Sequence, residues 1–133
     1  MHYLESGKEN ISIESIAFTN DDSYLIFSSN DNHITVLDMN KWVVRTKIKI
    51  NEENIIKIIP SVKNKYFAYM STSAGRIIIF DSRSNSEEMH LSEYLHVDAI
   101  MDFCVSEDEK FLFSSSLDKT INMMALDELT FST

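Results

Sequence analysis

Histidine and cysteine side chains are the residues that could form a structural zinc site in this chain. The four histidines lack the spacing of metal ligands, because no H-x-x-H or H-E-x-x-H sequence occurs among them: His2, His33, His90 and His96. Cys104 is the single cysteine, so the chain cannot supply the Cys/His set of a structural zinc site. We therefore predict that the chain binds no metal ion and no cofactor.

Catalytic motifs are also missing from the sequence. No serine lies in a G-x-S-x-G turn, and Gly7 and Gly75 are the only glycines, which is too few for a glycine-rich phosphate-binding loop. We predict that the protein is not an enzyme. An enzymatic alternative requires a substrate or cofactor pocket supplied by another chain, and no residue here indicates one.

The composition and charge of the chain indicate which partners and which cell compartment to expect. The chain has 133 residues, of which 44% are hydrophobic and 25% charged, as expected for one globular domain. Its net charge of −9 argues against nucleic acid and against an anionic membrane surface. The N-terminus lacks the apolar core of a secretory signal, and one cysteine allows no internal disulfide. We predict an intracellular protein, cytoplasmic or nuclear, that binds neither nucleic acid nor membrane.

A repeat organises the chain. Residues 111–124, F-L-F-S-S-S-L-D-K-T-I-N-M-M, have weaker copies at residues 24–37 and 67–80, so the copies begin 43 and 44 residues apart. This period is typical of propeller blades and other stacked repeats. The copies superpose without a gap between the following residues: Ile16 to Ser28, Ile59 to Ser71, and Phe103 to Ser115.

Each copy predicts a succession of antiparallel strands. The apolar runs are short, rich in Ile, Val, Phe and Tyr, and separated by Asn, Asp and Ser clusters, which favours strands over helices. We expect an inner strand, a second strand covered on both faces, a third strand and a solvated outer strand. The predicted strands are residues 11–18, 24–29, 34–38 and 42–50; 55–59, 66–71, 77–81 and 89–94; and 99–105, 111–116, 120–125 and the start of an outer strand in 127–133. In the strand at 42–50, Val44 is expected on the covered face and Arg45 on the solvated one.

The sequence S-S-S-L-D-K-T-I-N-M-M at residues 114–124 resembles the WD-repeat pattern of a serine pair, an Asp in a tight turn, Thr-Ile and a closing Trp-Asp. The resemblance covers residues 11–126. It implies an all-β fold of three four-stranded antiparallel blades of a WD-repeat-type β-propeller, which form an incomplete ring. A polar lead-in at residues 1–10 would precede this partial propeller at 11–133, with repeats at 11–53, 54–97 and 98–133.

The same resemblance implies a structural hydrogen-bonding network. In WD-repeat proteins, a His before the inner strand, a Ser or Thr of the second strand, the turn Asp and the Trp form it. The third copy offers His96, Ser116 and Asp118, with Met124 in place of the Trp and Ala125 in place of the closing Asp. The other copies retain fewer members: Asp31 and Asp38 in the first and Asp81 in the second, while acidic residues (Glu9, Glu52 or Glu53) replace the His of the first.

Three blades do not close a propeller, which needs about four to eight. The end blades would leave apolar faces open, so we expect a protein partner, a second copy of the chain or additional blades to cover them. The predicted partner-binding residues lie on the rim formed by the turns between second and third strands, with Arg76 as the main anchor: Arg76, Lys119, His33, Asn32 and Asp98. The predicted function is a protein–protein interaction scaffold, and the alternative is a purely structural blade segment. The acidic turn at 107–109 is either solvated or a patch for a basic peptide.

Overall fold

The computed structural model describes residues 11–50, 53–83 and 89–126, and every element in these ranges is a β-strand. The strands are β1 Ile13–Phe18, β2 Tyr24–Ser29, β3 His33–Asp38, β4 Val43–Lys49, β5 Ile55–Pro60, β6 Phe67–Thr72, β7 Ile77–Asp81, β8 His90–Leu91, β9 Ile100–Val105, β10 Phe111–Ser116 and β11 Ile121–Ala125. They form three antiparallel sheets, which we call blade 1 (β1 to β4), blade 2 (β5 to β8) and blade 3 (β9 to β11). The predicted all-β class and open propeller are confirmed.

The outer strands differ most from the prediction. Strand β8 contains only His90–Leu91, although the sequence predicted a strand over residues 89–94. Blade 3 has three strands within the described residues. The predicted outer strand in 127–133 and the lead-in at 1–10 lie outside the described residues.

Each inner strand contains a register shift at a corresponding place. The shifts fall between Ile13 and Ser15 in β1, between Ile55 and Lys57 in β5, and opposite the step from Ser115 to Ser116 in β9. An extra residue of this kind bends a strand and increases its local twist. The structure shows this irregularity in all three inner strands.

The predicted gapless superposition is wrong for the inner strand of blade 2. The corresponding cross-strand pairs in the three blades are Ile16–Phe27, Ile58–Met70 and Phe103–Ser114. The superposition requires Ile59 in place of Ile58, so the β5–β6 turn contains one residue more than its counterparts. Because side chains alternate between faces, this residue turns Ile58 toward blade 1 and Ile59 toward blade 3.

The core consists of two apolar layers between the blades. Between blades 1 and 2 the layer includes Ile26, Ile34, Val36, Ile48, Ile58, Met70, Ile78 and Phe80. Between blades 2 and 3 it includes Tyr69, Ile77, Ile79, Ile100, Phe103 and Leu112. Blade 2 is therefore covered on both faces, which explains why β6 and β7 are continuous apolar runs instead of alternating ones.

Strand β4 departs from the predicted alternation. Its pairing with β3 shifts register between Val36 and Leu37, and Val44 is exposed as a result. The guanidinium of Arg45 donates to the backbone carbonyls of Ser82 and Arg83 in blade 2. The expectation that Val44 is covered and Arg45 solvated is therefore wrong, because Arg45 links two blades.

A buried carboxylate joins blade 3 to blade 2. Glu109 Oε1 accepts hydrogen bonds from Ser61 Oγ at 2.6 Å and Tyr69 Oη at 3.0 Å, and Oε2 accepts from the backbone N–H of Lys63 at 2.6 Å. Burial and the adjacent Glu109 charge raise the pKa of the Tyr69 hydroxyl. Both expectations for the acidic turn are therefore wrong for Glu109, which is neither solvated nor available to a peptide.

Candidate functional site

One end of the blades carries most of the polar contacts. It is formed by the β2–β3, β6–β7 and β10–β11 turns and by the connectors at residues 53–54 and 95–99, and we call it the upper rim. The third residue of each turn has a positive φ: 66° at Asn32, 96° at Gly75 and 72° at Lys119. The five predicted partner-binding residues all lie on this rim: Asn32, His33, Arg76, Asp98 and Lys119.

In blade 3, the buried side chain of His96 bridges the connector at residues 95–99 and the β10–β11 turn. His96 Nδ1 lies 3.0 Å from Asp118 Oδ2 and 2.9 Å from Thr120 Oγ1, and Nε2 lies 2.9 Å from Ser114 Oγ. Asp118 also accepts from the backbone N–H of Val97 at 3.1 Å and of Thr120 at 2.9 Å. The structure thus brings His96 and Asp118 together, as the resemblance implied.

The serine in contact with His96 is Ser114 rather than Ser116. Ser116 follows the register shift of β10, where its hydroxyl donates to Asp98 O at 3.1 Å and accepts from Asp118 N at 3.0 Å. Ser114 lies deeper in the sheet, on the face toward blade 2, and is buried. Ser116 therefore joins the network through Asp118, whereas the serine that His96 reaches is one that the sequence run of three serines does not single out.

Hydrogen bonds hold the pKa of the Asp118 carboxyl well below its usual range. The largest contribution comes from the Thr120 hydroxyl, and the backbone N–H groups of Thr120 and Val97 add to it, while burial opposes it. A carboxylate with a lowered pKa in the folded protein stabilises the fold above its unfolded pKa of about 4, and this stability is lost as the pH falls toward the folded value.

Replacing Asp118 by asparagine is expected to reduce the acid sensitivity of the fold. Wild-type protein should lose free energy of unfolding between pH 7 and pH 3, and Asp118→Asn should start lower at pH 7 and lose less over the same range. Urea denaturation at the two pH values measures the difference. Glu107→Gln, an exposed carboxyl of the β9–β10 turn, is the matched control and should retain the wild-type dependence. If Asp118→Asn and wild type lose the same free energy of unfolding between pH 7 and pH 3, the lowered pKa of Asp118 does not contribute to the acid sensitivity.

In blade 2, an ion pair takes the place of the histidine–aspartate pair, and the acidic residue lies in the connector instead of the turn. Glu53 in the connector is buried, and its Oε1 accepts from Thr72 Oγ1 at 2.9 Å and from Arg76 Nε at 2.8 Å. Arg76 Nη2 also donates to Glu53 Oε2. The guanidinium lies 5.1 Å from the centroid of the Tyr94 ring, within reach of a cation–π interaction.

This pair was missed in the sequence, although a signal for it exists. Glu53 lies 43 residues before His96, and Arg76 lies 44 residues before Thr120, so each occupies the repeat position of a member of the blade 3 network. Glu53 and Arg76 carry opposite charges, which is the sequence signal for an ion pair. Because Arg76 is bound to Glu53, little of its guanidinium remains for a partner. Lys119 is the cation of the predicted set that the structure leaves exposed.

Blade 1 presents a third version of the rim. His33 Nδ1 lies 3.1 Å from Asp31 Oδ2, at ion-pair distance but without hydrogen-bond geometry. Asp31 accepts a hydrogen bond from Ser29 Oγ, which lowers the pKa of its carboxyl. Glu9 and Glu52, two of the acidic residues suggested in place of a histidine, lie outside the described residues.

The remaining predicted network residues occupy the opposite end of the blades, which we call the lower rim. Asp38 accepts from the backbone N–H groups of Asn40 and Lys41 at 2.9 and 3.2 Å. Asp81 forms an ion pair with Arg83 at 2.9 Å. Both end a third strand and bind the turn that follows, so they make turn contacts separate from the upper rim.

Neither of two surface clefts forms a catalytic arrangement. A cleft of about 300 Å³ on the lower rim lies above Glu109, whose oxygens are already bonded, and another of about 260 Å³ lies on blade 3 beside Asp102 and Cys104. Within residues 11–50, 53–83 and 89–126, no group of three or more His, Cys, Asp or Glu side chains could hold a metal ion. The same ranges contain no helix of the length and apolarity needed to cross a membrane.

The outward face of blade 3 is open and apolar. Phe113, Ile121 and Met123 are 42%, 78% and 56% exposed. The residues at the corresponding positions of blades 1 and 2 are at most 6% exposed and form the layers between blades: Ile26, Ile34 and Val36, and Tyr69, Ile77 and Ile79. Blade 3 thus carries the side chains of an interblade face on a surface that faces solvent.

The outward face of blade 1 is open only in part. Ile16, Phe18 and Val44 are exposed there, whereas Thr35 and Leu37 are buried. The expectation that both end blades expose apolar faces therefore holds fully for blade 3 and only along the edges of blade 1.

The sequence matches the model of a family described as a beta-propeller domain over residues 3–133. The chain belongs to this family, and the prediction of a divergent propeller is confirmed. No curated protein has a sequence that matches this chain.

The backbone is similar to a chain in the crystal structure of the mitotic checkpoint complex, with a TM-score of 0.77 and 13% sequence identity. The similarity covers 90% of this chain and 36% of that one, so the chain spans about a third of the length of that solved chain. In total, 619 chains of solved structures match. A fold shared this widely does not define a function.

Proposed function

We propose that this chain is an interaction scaffold: a non-enzymatic partial propeller whose third blade docks a further β-sheet blade. The observation that carries the proposal is the exposure of Phe113, Ile121 and Met123, whose counterparts in blades 1 and 2 are buried between blades. Full burial of an exposed apolar side chain of this size is favourable by about 1.5 to 3 kcal/mol, before the entropy cost of association. The docked blade belongs to a further part of a propeller, in a longer form of this protein, in another chain or in a second copy of this one.

The upper rim is the second part of the proposed scaffold. Four of its side chains are proposed to contact a protein partner: Lys119, Asp98, Asn32 and His33. Arg76 has a structural role here, because its guanidinium is bound to Glu53. An intracellular setting fits this role, because Cys104 is exposed and unpaired. The alternative of a purely structural blade segment shares the open face of blade 3 and lacks binding at the rim.

Sedimentation velocity tests the docking of a further blade. Wild-type protein should sediment faster as its concentration rises, because its open apolar faces associate. The triple variant Phe113→Ser, Ile121→Thr and Met123→Ser should remain monomeric and folded, since all three side chains are exposed. Val62→Thr, an exposed valine in the β5–β6 turn, is the matched control and should behave as wild type. A wild-type protein that unfolds cooperatively and associates no more than the triple variant would overturn the proposal, because its open apolar face would then need no cover.

A further inference from the structure

The upper rim of blade 3 is apolar where the rims of blades 1 and 2 are polar. Leu117, the first residue of the β10–β11 turn, is 59% exposed, and Val97 in the connector is 94% exposed. The positions that correspond to Leu117 are Asn30 and Ser73, and the position that corresponds to Val97 in blade 2 is Asn54. Both apolar side chains belong to a turn and a connector at the end of the sheet, apart from Phe113, Ile121 and Met123 on its open face.

These two side chains are held by a well-bonded backbone. The N–H of Val97 donates to Asp118 Oδ2 at 3.1 Å, and the N–H of Leu117 donates to Ala99 O at 3.1 Å. Asp118 is in turn bound to the buried His96. Because the turn and the connector are fixed before any partner arrives, little conformational entropy is lost when one binds.

The charges beside the apolar pair indicate the chemistry of the partner. Lys119, at the tip of the same turn, is exposed, and its ammonium group has no ion pair among the described residues. Asp98 is the acidic residue here, and its Oδ1 accepts from the N–H of Ala99 at 2.7 Å. A partner therefore gains from one carboxylate placed at Lys119, whereas a uniformly acidic segment would be repelled by Asp98.

We propose that Val97, Leu117 and Lys119, the upper-rim patch, dock an extended protein segment with an apolar side chain directly beside a carboxylate. The apolar side chain packs on Val97 and Leu117, and the carboxylate pairs with Lys119. This inference rests on the proposed scaffold role, for which it specifies a partner.

An NMR titration of the full chain with synthetic peptides tests the patch. The probe is a nine-residue peptide of serines with Leu-Glu at its centre, and the matched peptides carry Leu-Lys or Ser-Glu instead. The Leu-Glu peptide should shift the amide resonances of Val97 and Leu117 and bind most tightly. Val97→Ser and Leu117→Ser should each weaken it about tenfold. Lys119→Glu should reverse the preference, so that the Leu-Lys peptide binds better.

Two control variants separate this patch from other exposed apolar groups. Val62→Ser changes a valine that is 72% exposed in the β5–β6 turn, and Ile121→Thr changes the open face of blade 3. Both should leave the affinity for the Leu-Glu peptide unchanged. The proposal is overturned if no peptide binds, if Leu-Glu and Leu-Lys bind equally, or if Val62→Ser weakens binding as much as Leu117→Ser. If the protein binds the peptide but stays monomeric in sedimentation, the proposed upper-rim patch is supported and only the proposed docking of a further blade is contradicted.

Discussion

Gly75→Ala is expected to destabilise the fold by about 3 kcal/mol or more, which makes it one of the two most damaging substitutions expected on the upper rim. Gly75 has a φ of 96°, and a Cβ atom there would lie 2.3 Å from His96 O and 2.9 Å from Asp98 O. The unfavourable backbone conformation alone costs about 1 to 3 kcal/mol for a residue with a side chain. The steric contact adds to this cost, because the atoms that must move are backbone atoms of the connector.

The effect of Gly75→Ala should extend beyond blade 2. The carbonyl of Gly75 accepts from the N–H groups of Leu95 and His96, at 2.9 and 3.1 Å. A displaced connector moves His96 away from Ser114 and Asp118, which loosens the rim of blade 3. We therefore expect weaker protection of the Val97 amide in hydrogen exchange, together with a lower midpoint in urea denaturation.

Lys119→Ala is the matched control for Gly75→Ala. Lys119 occupies the corresponding turn position with a φ of 72°, and its side chain is exposed. Because this position already carries a side chain, the substitution should change the free energy of unfolding by less than about 0.5 kcal/mol. If Gly75→Ala proves as mild as Lys119→Ala, the close approach of blade 2 to the connector does not contribute to stability.

The sequence predicts the strands well because each depends on short-range patterns. Strands β2, β7 and β10 have the predicted bounds, since apolar runs between Asn, Asp and Ser clusters fix both ends. Pairing between strands is harder to predict. The extra residue in the β5–β6 turn leaves the apolar pattern of β5 intact, because Ile58 and Ile59 are both apolar and either register buries an isoleucine.

Polar contacts across blades are the part of the site that the sequence did not reveal. Glu109 occupies a turn that is otherwise exposed and acidic, and its partners Ser61 and Tyr69 are 48 and 40 residues away. Arg76 was interpreted as an exposed anchor because it follows a glycine at a turn. Both errors have the same origin, since a charged side chain next to a turn is buried or exposed according to the neighbouring blade, which local sequence does not specify.

The ion pair of blade 2 leads to the second large effect. Arg76→Met should lower the free energy of unfolding by about 3 to 5 kcal/mol, because it leaves the carboxylate of Glu53 buried without its cation. Arg83→Met is the matched control: Arg83 pairs with Asp81 at 2.9 Å on the lower rim, where its side chain is 44% exposed. Exposed pairs of this kind contribute about 0 to 1 kcal/mol, so Arg83→Met should have a small effect in the same urea experiment.

A double-mutant cycle separates the pair from the burial of Glu53. The double variant Glu53→Met with Arg76→Met removes both charges from the same space and should recover most of the stability lost in Arg76→Met. A double variant as unstable as Arg76→Met would show that the packing of the arginine stem, rather than the ion pair, is what matters.

The same pair determines which substitutions can test partner binding. Arg76→Glu would place a second carboxylate against Glu53 and unfold the rim, so a loss of binding in that variant would report stability instead of recognition. Lys119 carries its charge on an exposed side chain in a turn fixed by Asp118 and Ser116, and its substitution leaves those bonds in place. We therefore expect Lys119→Glu to retain the wild-type free energy of unfolding within about 0.5 kcal/mol. A change in its peptide preference would then be a direct measure of recognition at the upper rim.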